Sequence, residues 1–120
     1  LLFEATEYPM SGFVHEGRNL VVPAPYEVHA GDGVKIGALF GIAASWAEAG
    51  QLVPVAASGV FDVRRPVAEQ WNLGTRIYWN DSERAFTCKP ESGSFIGVIV
   101  DTSRQVTEGE GRLRINGIAA

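Results

Sequence analysis

Apolar and polar residues alternate along this chain in short runs, with no sustained helical spacing. In Thr75-Arg76-Ile77-Tyr78-Trp79, the side chains of Ile77 and Trp79 point one way and those of Arg76 and Tyr78 the other. In Arg112-Leu113-Arg114-Ile115-Asn116, Leu113 and Ile115 face a core and the rest face water. Phe95-Ile96-Gly97-Val98-Ile99-Val100 has no polar face, so it is expected to be covered on both sides, or on one side by a partner. Runs rich in Val, Ile, Phe, Tyr and Trp predict strands over 19–22, 34–39, 41–44, 52–56, 59–63, 75–79, 85–88, 95–100 and 112–116.

Breakers separate these runs. Asn80-Asp81-Ser82-Glu83 predicts a hairpin, because Asn, Asp and Ser favour turns through local side-chain hydrogen bonds. Ser45 to Ala49, closed by Gly50, predicts one helical turn with a Ser cap and a Gly stop. Gln70 to Gly74 predicts a loop that docks Trp71 on the core. Glycine precedes Val or Ile at Gly33, Gly41, Gly59 and Gly97, as expected where strands bulge, bend or approach another backbone closely. The fold class predicted is all-β: a small antiparallel barrel or sandwich. Residues 1–12 carry Phe3, Tyr8 and Met10 without a steady period, and Phe13 follows. They predict an extended N-terminal arm, with 13–120 forming a single domain.

Composition narrows the function. The chain has 120 residues, 46% hydrophobic and 20% charged, which suits one globular domain and not a disordered segment. The formal net charge is −4, and Arg64-Arg65 is the nearest approach to a basic stripe. Nucleic acid is therefore not an expected partner. No apolar run approaches the roughly 20 residues of a membrane span, and no membrane partner is expected. Leu1-Leu2-Phe3 lacks a basic flank and meets Glu4 and Glu7, so it is not expected to act as a signal peptide. Residues upstream of Leu1 are expected to have been removed or left out.

Candidate chemistry is sparse. Cys88 is the single cysteine, which suits a reducing compartment, and an intrachain disulfide is impossible. His15 and His29 lie in a Pro-rich stretch without metal-ligand spacing, so no metal and no cofactor is expected. Gly31-Asp32-Gly33 lacks the Lys-Ser/Thr of a phosphate loop and reads as a turn. Asp62, Asp81 and Asp101 fall at strand ends, where aspartate usually serves a turn. An enzyme would need His15, His29 or Cys88 to converge with a carboxylate in a pocket, and no catalytic residue is assigned. Exposed, clustered Trp and Tyr would instead indicate a carbohydrate- or host-surface-binding β module.

The order of motifs adds a further indication. Phe13-Val14-His15-Glu16-Gly17 leads through Val22-Pro23-Ala24-Pro25-Tyr26 to Ala30-Gly31-Asp32-Gly33-Val34-Lys35-Ile36-Gly37. Leu39-Phe40-Gly41-Ile42-Ala43, Ala47-Glu48-Ala49-Gly50 and Ser58-Gly59-Val60-Phe61-Asp62-Val63 follow. Trp71, Gly74, Ile77-Tyr78-Trp79-Asn80-Asp81, Phe95-Ile96-Gly97-Val98 and Arg112-Leu113-Arg114-Ile115-Asn116-Gly117 complete the series. From about residue 12 to 117 this resembles the small tailed-bacteriophage and prophage family of capsid cement, or decoration, proteins. The segment before residue 12 departs from that pattern.

The resemblance implies a β-barrel-like cement domain without catalysis, made in the host bacterial cytoplasm and carried on the outer surface of the virion capsid. It implies that the major capsid protein is the partner, with neighbouring subunits bridged and the shell stabilised. A homo-oligomer is expected, a trimer before a dimer. Phe3, Tyr8, Met10 and Phe13 are the expected capsid-binding anchors of the arm. Trp46, Trp71 and Phe95 are the expected oligomer contacts.

Overall fold

The computed structural model describes residues 12–101 and 109–120. Among these residues the chain forms nine strands: β1 (Asn19–Pro23), β2 (Gly33–Ile36), β3 (Leu39–Ala43), β4 (Leu52–Ala56), β5 (Gly59–Arg64), β6 (Arg76–Asn80), β7 (Ala85–Thr87), β8 (Ser94–Asp101) and β9 (Glu110–Ile115). A 3-10 turn at Pro90–Ser92 is the one helical element among them. The fold is thus all-β, and each predicted strand has a counterpart.

Two expectations need correction. The strand predicted over 34–39 stops at Ile36, because Gly37 takes a left-handed φ of 59° and starts a two-residue hairpin loop. Leu39 therefore opens β3, opposite Ile36. The helical turn predicted from Ser45 does not form. Ala47 and Val28 instead exchange backbone hydrogen bonds of 2.9 and 3.0 Å, and both side chains are buried. Two long-range bonds plus burial outweigh the weak drive of a one-turn helix.

All strand pairs are antiparallel and form two sheets, ordered β1-β4-β3-β2 and β5-β9-β8-β6-β7. The C-terminal residues stitch the sheets together. Phe40 N–H donates to the Gly117 carbonyl at 2.9 Å and Ala119 N–H to the Ala38 carbonyl at 2.8 Å. On the other flank, Ala120 N–H donates to the Phe95 carbonyl at 2.9 Å. The result is two curled half-barrels around shared apolar contents.

The larger core gathers Phe40, Ile42, Trp71, Ile77, Trp79, Phe86, Ile96, Ile99, Leu113 and Ile115. Phe40, Trp79 and Phe86 meet at ring separations of 5.0–6.3 Å in tilted and edge-on geometries. Each such buried aromatic contributes about 1.5–3 kcal/mol. A smaller core forms from Val28, Val34, Ala43, Ala47, Val53 and Val55. Glycine admits this packing. A Cβ on Gly33 would lie 2.7 Å from Trp79 Cζ3, and one on Gly97 would collide with the Arg114 carbonyl.

Tyr26 packs against both cores. Its hydroxyl reaches the Gly33 carbonyl at 3.1 Å and Asp81 Oδ1 at 3.3 Å. Asp81 Oδ1 also accepts from Trp79 Nε1 at 2.9 Å, and the Arg84 guanidinium lies 4.0 Å over the Tyr26 ring. Burial first, and Asp81 second, push the Tyr26 phenol up to about 12, so it remains a neutral donor. This polar node ties the segment after β1 to the β6–β7 hairpin.

Candidate interaction surfaces

Among the described residues, the candidate groups for chemistry serve local structure. Exposed His15 accepts the Gly17 N–H at Nδ1. Exposed His29 sits 3.7 Å from Asp32, whose carboxylate accepts the His29 N–H at 2.8 Å. That bond, with the Asp32 N–H to His29 carbonyl bond of 3.0 Å, makes 29–32 a turn, which overlaps the one expected at Gly31-Asp32-Gly33 but begins two residues earlier. Burial and neighbouring Glu69 push the Cys88 thiol up, the wrong direction for a nucleophile. Among the described residues no three His, Cys, Asp or Glu side chains group to hold a metal.

Glu69 is a structural acceptor. It takes hydrogen bonds from Trp71 Nε1 at 2.9 Å, Cys88 N–H at 2.8 Å and the Thr87 hydroxyl. Burial opposes its ionisation, but these bonds prevail and hold the carboxyl below its ordinary value. An open cleft lined by Asp32, Arg64, Arg65, Glu83, Arg84 and Glu110 mixes both signs of charge. Two of its arginines are engaged: Arg84 over Tyr26, and Arg65 on the Glu69 carbonyl at 2.6 Å.

The expected contact residues separate into distinct groups. Phe3, Tyr8 and Met10 lie outside the described residues. Phe13 is 54% exposed, in the irregular segment before β1. Trp46 is 51% exposed, and its indole N–H donates to Glu27 at 3.1 Å. Trp71 is fully buried, so the exposed contact expected of it is corrected; its indole is the floor of the core, held by Glu69. That placement agrees with the docking loop read from Gln70 to Gly74. Phe95 is half-buried, stacked near Tyr78 at 5.8 Å and beneath Arg76 at 5.4 Å. With Trp71 and Trp79 buried, no cluster of exposed tryptophans exists among the described residues to favour a sugar-binding module.

Two open faces emerge that no short motif signals. On the first sheet, Val21 lies opposite Pro54 and Pro23 opposite Leu52, so these four share a face. Val21 and Leu52 are 64% and 70% exposed. On the second sheet, Val60, Arg114, Val98 and Arg76 are successive cross-strand partners over β5, β9, β8 and β6. Phe95 and Tyr78 pair beside Arg76. Register shifts fall between Ile99 and Asp101 and beside Tyr78, so β8 breaks simple alternation. Ile96 and Ile99 turn inward while Phe95, Val98 and Val100 stay half-exposed. This accounts for a run without a polar face that is nevertheless open on one side.

Along the same strands, Arg112 is bound by Asp62 at 2.9 Å and Asp101 at 3.3 Å. Arg76 and Arg114 have no carboxylate within ion-pair distance among the described residues. No helix in the described residues is long and apolar enough to cross a membrane.

A family model described as phage cement protein matches residues 14–115. No curated protein and no solved structure matches the chain.

Proposed function

Because the chain belongs to the phage cement protein family, a structural component associated with the phage capsid, we propose that it binds the outer surface of a phage head and bridges neighbouring major capsid subunits. The family match over 14–115 is the observation that carries this reading. Bridging needs more than one contact surface on a firm body. The stitched half-barrels supply the body, and the open faces of the two sheets supply separate surfaces. The chain acts as a homo-oligomer, a trimer before a dimer. Several weak contacts presented together then give high avidity without a single strong one.

The arm over 1–12 adds grip. Phe3, Tyr8, Met10 and Phe13 anchor it, and an extended segment can add a strand to the edge of a capsid sheet. Co-sedimentation of the chain with undecorated heads of its phage tests the reading. The full chain should pellet with the heads, and a chain lacking 1–12 should remain folded but stay in solution. Failure of the full chain to pellet refutes the cement role. Full binding by the truncated chain refutes the role of the arm alone.

A further inference from the structure

We propose that the outer face of β6, β8 and β9 is the surface that meets the capsid, and that Arg76 and Arg114 grip carboxylates on the shell. This rests on the cement reading above and names the chemistry of the contact.

The register places Arg114 and Arg76 in one cross-strand row, with Val98 between them and Val60 at its end. Strands in a sheet lie about 4.8 Å apart, so the two arginine backbones are about 10 Å apart. Both side chains are exposed, while Val98, Phe95 and Tyr78 are half-buried around them. Arginines set among aromatic and aliphatic side chains match the composition of protein interface cores. The Arg76 guanidinium is already held 5.4 Å over the Phe95 ring, which limits the freedom it would lose on binding.

Charge decides the partner. The chain carries a net charge of −4, yet these two cations have no carboxylate partner among the described residues. The acids that the register places on this face stand further along the same strands. Asp62 and Asp101 clamp Arg112, and Glu110 lies opposite Arg64. The Arg76–Arg114 end is thus locally positive on a negative molecule. Two planar guanidinium forks two strands apart on one sheet face suit a bidentate grip on Asp or Glu side chains.

The test measures binding of the full-length chain to undecorated heads across a salt series. Unaltered protein should bind, more weakly as salt rises. R76A/R114A should keep its thermal unfolding midpoint, bind at least about tenfold more weakly at low salt, and lose much of the salt dependence. R76K/R114K should recover part of the affinity, because the charge returns without the fork. R18A/K35A removes the same charge elsewhere and should bind like unaltered protein. Unchanged binding by R76A/R114A, or equal loss in R18A/K35A, overturns this inference while leaving the cement role intact. Absence of binding by the unaltered chain overturns both. A 20-base single-stranded DNA serves as a probe for the rival ligand; its capture by the unaltered chain and loss in R76A/R114A, with head binding intact, would assign the arginines to nucleic acid and overturn the inference.

Discussion

Replacing Glu69 with alanine should destabilise the domain far more than an ordinary surface carboxylate would. The side chain accepts from Trp71 Nε1, the Cys88 N–H and the Thr87 hydroxyl, tying the loop before β6 to β7 and to a fully buried indole. Hydrogen bonds to a charged acceptor contribute about 1.5–3 kcal/mol each, but three on one side chain do not add, and water replaces part of what is lost. A loss of about 3 kcal/mol is expected. At about 4 °C per kcal/mol for a domain of this size, the unfolding midpoint should fall by about 12 °C.

The pH dependence has a definite sign. The folded carboxyl ionises below its ordinary value of 4.5. Its contribution is therefore full above that value and is lost as pH falls through the folded one. Circular dichroism melts of the unaltered protein and E69A at pH 7, and again in steps below pH 4.5, would measure both effects. A midpoint within about 2 °C of the unaltered protein at pH 7 would refute the reasoning. So would a gap that does not narrow on acidification.

Other expectations concern the packing between the sheets. Gly33→Ala puts a Cβ 2.7 Å from Trp79 Cζ3 and 2.9 Å from Phe40 Cζ, and should cost about 2–3 kcal/mol in denaturant unfolding. Tyr26→Phe removes the bonds to Gly33 and Asp81 and should cost about 1 kcal/mol at pH 7. Because the folded Tyr26 phenol ionises near 12, its stabilisation is full below pH 10 and is lost as pH rises from there through 12. Y26F should therefore remove about 1 kcal/mol of the alkaline destabilisation, after allowance for the partial exposure of the ring; melts at pH 9 and pH 11.5 check this.

The strands were legible because their periodicity is local. Ile77 and Trp79 against Arg76 and Tyr78, or Leu113 and Ile115 against Arg112 and Arg114, declare their faces within five residues. What local pattern cannot give is register between distant strands. Arg76 and Arg114 stand 38 positions apart in the chain, and only the ladder through Val98 places them in one row. The pattern puts the break between β2 and β3 at residue 40 and the structure puts it at Gly37, because Gly37 and Gly41 are equal as residues but not in context. Gly37 turns the chain, whereas Gly41 admits the close approach of Val55. The helical turn expected at Ser45 gave way to pairing of Ala47 with Val28, a contact no local rule contains. Trp71 was legible as a docked ring, but its burial was in conflict with its expected role as an oligomer contact. Burial depends on the whole fold, and the fold placed the indole over Gly111 and beside Glu69.

The most direct measurement is electron cryomicroscopy of undecorated heads mixed with the purified chain. Ordered density of the size of this domain, on the outer surface and spanning adjacent capsid subunits, is the predicted result. Bare heads at saturating protein would contradict the account.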